Sequence, residues 1–104
     1  MGQFYEVAHK DDIPLGKMKS YEVDYDMVVI CHTEEGYFAL EDVCSHDSAP
    51  ISDGTINRHG HIVCPRHGAK FDCKTGEVKA APAVVGIDKF EIKIENDMIF
   101  VYKD

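Results

Sequence analysis

Apolar and polar positions alternate most clearly near the end of the chain. Phe90, Ile92 and Ile94 interleave with Lys89, Glu91, Lys93 and Glu95, a period of two that suits a strand with one buried face. Glu95-Asn96-Asp97 supplies turn residues, and Met98, Phe100 and Tyr102 are expected to give a matching apolar face on the return strand. The pattern predicts a hairpin that closes a sheet. Elsewhere, turn residues recur about every eight to twelve positions, the rhythm of a small all-β sandwich or barrel. They include Pro14-Leu15-Gly16, Asp24-Tyr25-Asp26, Glu35-Gly36, Asp53-Gly54, His59-Gly60 and Thr75-Gly76. The runs between them predict strands over residues 4–7, 18–23, 27–32, 37–40, 62–64 and 70–73, followed by 90–95 and 98–102. No stretch carries a helical period. Residues 42–82 differ from the rest: they are rich in Cys, His, Gly and Pro, and read as loops carried on a β scaffold.

Composition narrows the function classes. The chain has 104 residues, 44% hydrophobic and 29% charged, as expected of a single folded domain over residues 1–104. Nineteen acidic residues against eleven basic ones give a net charge of −8, and the basic residues are scattered, so the surface is expected to repel phosphate backbones rather than bind nucleic acid. No apolar run reaches the roughly 18 residues of a membrane span. Met1-Gly2-Gln3-Phe4-Tyr5-Glu6 has neither a basic nor an apolar leader segment, so a cytoplasmic address is expected. Four cysteines in such a compartment point to metal binding or free thiols rather than a disulfide scaffold.

The positions of those cysteines carry the chemistry. Cys44-Ser45-His46 is a C-x-H box and Cys64-Pro65-Arg66-His67 is a C-x-x-H box, with seventeen residues between them. Each offers one thiolate and one imidazole from a short loop, and Gly68 permits a sharp bend after the second. Two centres accept two sulfurs and two nitrogens: tetrahedral zinc, or an iron–sulfur cluster with two histidines on one iron. Zinc modules more often pair like ligands within each box. One Cys and one His in each box suits two irons, with the thiolates converging on one and the imidazoles on the other.

Cys44-Ser45-His46, the run Cys64-Pro65-Arg66-His67-Gly68-Ala69-Lys70-Phe71-Asp72, and then Thr75-Gly76-Glu77 together resemble the signature of Rieske [2Fe–2S] proteins. Ala81-Pro82-Ala83 before an alternating hairpin is similar as well. The resemblance spans nearly the whole chain and is strongest to the small ferredoxins of bacterial ring-hydroxylating oxygenases. It implies an all-β fold, a Rieske-type antiparallel sandwich or barrel with a loop-rich cluster-binding subdomain. It also implies one [2Fe–2S] cluster held by Cys44 and Cys64 on the inner iron and by His46 and His67 on the outer iron. Pro82 would stand in the covering third loop. The role implied is one-electron transfer from a flavin-containing reductase to a terminal oxygenase, by a carrier that is not itself an enzyme and is expected to be monomeric.

Departures from the wider family matter too. Respiratory Rieske subunits tie their ligand loops with a disulfide, and the corresponding positions here are Ala49 and Arg66. They also place a serine where Ala69 stands, so one hydroxyl donor to the cluster is missing, and a potential near the low end of the roughly −150 to +300 mV Rieske range is expected.

The remaining candidates have plainer readings. Cys31, inside Val28-Val29-Ile30-Cys31, reads as a core residue. Cys73 reads as a packing or partly exposed thiol, and a Cys31–Cys73 disulfide is not expected in a reducing compartment. His59 and His61 read as a polar hairpin tip, and His9 and His32 as surface residues. Two other functions fit parts of the sequence. A structural zinc module explains the donor set but not the mixed boxes or the H-G-x-x-F-D continuation. A Rieske subunit of another reductase, such as one acting on nitrite, keeps the cluster and changes the partner.

Overall fold

Val28, Val29, Ile30 and Cys31 form an unbroken apolar run because the strand carrying them is buried on both faces. In the computed structural model, which describes residues 2–43, 50–65, 68–81, 83 and 85–104, that strand is the centre of three stacked layers. Eleven strands are described: β1 (Gln3–His9), β2 (Met18–Val23), β3 (Asp26–Thr33), β4 (Gly36–Glu41), β5 (Thr55–Ile56), β6 (His61–Val63), β7 (Lys70–Asp72), β8 (Val78–Ala80), β9 (Lys89–Phe90), β10 (Ile92–Glu95) and β11 (Met98–Lys103). They form three antiparallel sheets, ordered β1-β11-β10, β2-β3-β4-β9 and β5-β6-β7-β8. Among the described residues the only helical pieces are single 3₁₀ turns at Lys10–Asp12 and Ile51–Asp53. None is long and apolar enough to cross a membrane.

The middle sheet divides its side chains by parity. Val28, Ile30 and Ala39 pack on one side with Ile99 and Val101 of the first sheet. Val29, Cys31 and Leu40 pack on the other with Ile62 and Phe71 of the third. The third sheet with its loops therefore rides on a face of the middle sheet that alternation alone would have left wet. Fully burying a side chain such as Phe71 contributes about 1.5–3 kcal/mol, and Phe71 is completely enclosed.

The terminal hairpin forms, but its faces differ from the pattern's: Ile94 is exposed rather than buried, and the inward face of β11 is the other one. Ile92 faces Val101 and Ile94 faces Ile99 across the β10–β11 ladder, so the apolar face of β11 is Ile99, Val101 and Lys103, all buried. Met98, Phe100 and Tyr102 lie on the opposite face. The aromatic side chains at alternate positions lie on the outer face instead, packed against Phe4 and Lys93. Phe4 meets Tyr102 edge-on at 5.2 Å, and Lys93 Nζ lies 4.4 Å from the Phe4 ring centre. A one-residue difference in parity exchanges the two faces of a strand, and here the smaller β-branched residues won the core.

The segment expected as one strand over 90–95 is two. Phe90 pairs with Ala39 in the middle sheet and Ile92 with Val101 in the first. Glu91 makes the crossing, its carbonyl accepting the Tyr102 amide N–H at 2.9 Å. Asp24-Tyr25 and Asn96-Asp97 have positive φ at both positions, the backbone of two-residue hairpin turns whose twist matches their strands. Buried Lys103 donates to the Asp26 carboxylate, joining the last strand to the start of β3.

His32 departs from the surface reading. Its Nδ1 lies 2.8 Å from the Ile13 carbonyl oxygen and its ring stacks on Tyr37 at 3.9 Å. Together with the Tyr37 hydroxyl, which donates to the Lys10 carbonyl at 3.0 Å, it fastens the β1–β2 connection to the middle sheet. His9, half-buried, uses Nδ1 to accept the Asp11 amide N–H at the first 3₁₀ turn.

Candidate metal centre

Cys64 follows β6 directly, with its side chain buried. The turn it opens is closed twice: the Cys64 amide N–H donates to the Ala69 carbonyl at 2.7 Å, and the Gly68 amide N–H donates to the Cys64 carbonyl at 3.1 Å. Gly68 has φ +76°, a left-handed conformation that a side chain would strain. These two hydrogen bonds tie Cys64 to Gly68 and Ala69 between β6 and β7. Of the four expected ligands, Cys64 is described. Cys44, His46 and His67 lie outside the described residues, and so does Pro82.

The described residues flanking those positions share one apolar cluster. Ile51, Cys64, Ala69 and Ala83 are buried together, with Val43 packed against them. Ile51 follows the first box, Cys64 and Ala69 bracket the second, and Ala83 follows Pro82. The three loops thus spring from a common floor that also contains Ile62, Phe71 and Ile87. A buried thiol on a tight turn above a dry floor suits a thiolate ligand of an iron–sulfur cluster: Cys64 is held in place, and water is kept from the sulfur side. The donor chemistry and this backbone fit the group.

The F-D-x-x-T-G continuation acquires physical duties. Phe71 fills the floor. Asp72 Oδ1 accepts the amide N–H groups of Lys74 at 2.7 Å and Thr75 at 3.3 Å, while the Asp72 amide donates to the Glu77 carbonyl. Gly76 donates to the Asp72 carbonyl and accepts from the Ile87 amide at 2.9 Å. The signature after the second box is the device that turns the chain and anchors the third loop.

Two features gave no usable signal in the sequence. Asp42, almost fully buried, accepts from both the amide and the hydroxyl of Ser52, at 2.9 and 2.7 Å. Gly54 lies so close to the Val63 carbonyl that a Cβ would collide with it, which sets the exit of the first loop against the residue preceding Cys64. Asp53-Gly54 marked a turn in the sequence, but not this contact.

The other candidates fall as follows. Cys31 and Cys73 are both buried, free thiols in the same cluster. A hydrogen bond with Cys73, and then burial, push the Cys31 thiol well above its ordinary pKa. His59 and His61 sit at the β5–β6 hairpin tip, where Asn57 Oδ1 accepts both of their amide N–H groups. Their rings are 6.1 Å apart, and no group of three or more His, Cys, Asp or Glu side chains capable of holding a metal occurs among the described residues.

Comparison with known proteins adds the following. The family model for the Rieske [2Fe-2S] domain matches residues 3–91. The chain is 31% identical over 96 residues to the ferredoxin component of biphenyl 2,3-dioxygenase from Rhodococcus jostii (strain RHA1), covering 92% of this chain and 89% of that protein. It is 33% identical over 95 residues to apoptosis-inducing factor 3 of Homo sapiens, covering 91% of this chain but 16% of that much longer protein. Among solved structures, it matches a chain in the complex of reduced oxygenase and oxidized ferredoxin in carbazole 1,9a-dioxygenase with a TM-score of 0.86 at 26% identity, covering 94% of this chain and 91% of that one.

Proposed function

The chain belongs to the Rieske [2Fe–2S] domain family, and from that premise we propose that it is a one-electron carrier serving a terminal ring-hydroxylating oxygenase. The observation that carries this reading is the match over most of both chains to a dioxygenase ferredoxin component, supported by the likeness to a chain from an oxygenase–ferredoxin complex. The electron would come from a flavin-containing reductase. The carrier works as a cytoplasmic monomer and performs no substrate chemistry of its own.

Cys44 and Cys64 serve as thiolate ligands, and His46 and His67 ligate through imidazole nitrogen. When bound, the [2Fe–2S] cluster supplies one-electron oxidation and reduction. The chain's own residues do the rest. Cys64 presents its sulfur from a turn closed by the Ala69 carbonyl and by Gly68. Ile62, Phe71 and Ala69 keep the inner side dry. The surplus of acidic residues steers the carrier towards basic patches on its partners in a small, transient interface.

The test is to reduce the loaded protein anaerobically and mix it with an oxidised terminal oxygenase of a ring-hydroxylating system in a stopped-flow instrument. Transfer of about one electron per chain, slowing as salt screens charges beyond a Debye length of about 10 Å at 0.1 M, is expected. Absence of transfer to any such oxygenase contradicts the assignment.

A further inference from the structure

The first ligand loop leaves the end of β4 and returns at the 3₁₀ turn Ile51–Asp53, and its two ends are joined by one side chain. Asp42 Oδ1 accepts the Ser52 amide N–H at 2.9 Å, and Oδ2 accepts the Ser52 hydroxyl at 2.7 Å. The carboxylate is almost wholly buried, and among the described residues no basic group pairs with it. Its hydrogen bonds to Ser52 therefore take the place of solvation, which makes them costly to break. Asp42 is itself fixed, since its amide N–H donates to the Met27 carbonyl at 3.0 Å. Ser52 is fixed by buried Ile51 on one side and by the Gly54 amide bond to the Ile51 carbonyl, at 2.9 Å, on the other.

We propose that Asp42 is a positioning residue for the cluster, a clasp that sets the span of the loop carrying Cys44 and His46 by gripping Ser52. This rests on the Rieske reading of those two residues. Ordinary loop packing would ask for an apolar or solvated residue at position 42. A buried carboxylate using both oxygens on one partner ten residues away is instead a rigid link of fixed length. Its geometry requires an acceptor that reaches the Ser52 amide and a second polar atom that reaches the hydroxyl. Asparagine keeps both links, accepting from the amide and donating to the hydroxyl oxygen, and alanine keeps neither.

The experiment follows the visible absorbance of the loaded protein during incubation with a chelator, together with the EPR spectrum of the reduced form. Asp42→Ala is expected to lose the cluster about tenfold faster than wild type and to broaden the EPR lines, the size expected from losing charge-assisted hydrogen bonds. Asp42→Asn is expected to stay within about threefold of wild type. Ser52→Ala, which removes only the hydroxyl, falls between, and adding it to Asp42→Ala changes nothing further because the two act as one unit. Ile99→Val, in the core between the first and middle sheets, is the control for lowered stability without a loosened loop. Cluster loss from Asp42→Ala at the wild-type rate, or no faster than from Ile99→Val, overturns the clasp while leaving the carrier assignment intact. Should Asp42→Ala not fold, Ser52→Ala decides: an unchanged rate and spectrum overturns the clasp. Wild-type protein that takes up no iron and sulfide overturns both the clasp and the reading it rests on.

Discussion

The Ile87 amide N–H donates to the Gly76 carbonyl at 2.9 Å, and the Gly76 Cα lies so near the Ile87 carbonyl that no Cβ fits between them. Gly76 also has φ +80°. One residue thus ends the turn after β7 and ties down the loop that contains Pro82. Gly76→Ala must strain the backbone, at about 1–2 kcal/mol for the left-handed conformation alone, and then displace Ile87 as well. The melting temperature should drop by about 4–8 °C for each kcal/mol lost, and the loaded protein should shed its cluster faster. An unchanged melting temperature would show that the two segments part without cost.

Cys31 gives a pH-dependent prediction. Its thiol is raised well above 9.0 in the folded chain by the hydrogen bond with Cys73 and by burial. The unfolded thiol ionises near its ordinary value, so between the two the unfolded state holds fewer protons than the folded one. Stability is therefore full below the unfolded pKa and falls as pH rises beyond it. Urea midpoints measured from about pH 8 to pH 10 should decline more steeply for wild type than for Cys31→Ala. Parallel slopes would contradict a buried, neutral Cys31. The native thiol should also resist alkylation until the protein is unfolded.

Ala69 bears on the potential. It is fully buried beside Cys64, and its carbonyl accepts the Cys64 amide N–H, but its side chain has nothing to donate. Hydrogen bonds to cluster sulfur favour the reduced, more negative state, so wild type should lie near the low end of the range, about −150 mV. Ala69→Ser should raise it, because the added hydroxyl can donate. Protein-film voltammetry on the two proteins measures the difference. A potential for the Ala69→Ser variant equal to or below that of wild type would show that the hydroxyl finds another partner.

Much of this architecture was readable in the sequence. The strand β2 matches its expected range residue for residue, β3 and β4 exceed theirs by one residue at each end and β11 by one at its C-terminal end, because their apolar patterns and turn residues are local. β5 and β8 escaped notice: two and three residues long, they exist only because β6 and β7 lie beside them. The inward face of β11 is not legible in the sequence for a related reason. Alternation shows that a strand has two faces but not which one the neighbouring sheet covers, and Phe100 and Tyr102 outweighed Ile99 and Val101 on hydrophobic bulk alone. At the site, the ligand boxes stood out because their spacing is local chemistry. The Asp42–Ser52 link did not, since ten residues separate its ends and neither is unusual in a loop. His32 was likewise legible only once Ile13 and Tyr37 had been brought to it.

The most direct test of the account is metal and acid-labile sulfide analysis, with low-temperature EPR of the dithionite-reduced protein. About two irons and about two sulfides per chain, with a rhombic signal whose average g is lowered by imidazole ligation, are predicted. Cys64→Ser should abolish both the metal content and the signal. Zinc without sulfide, or a chain that binds no metal at all, would contradict the assignment.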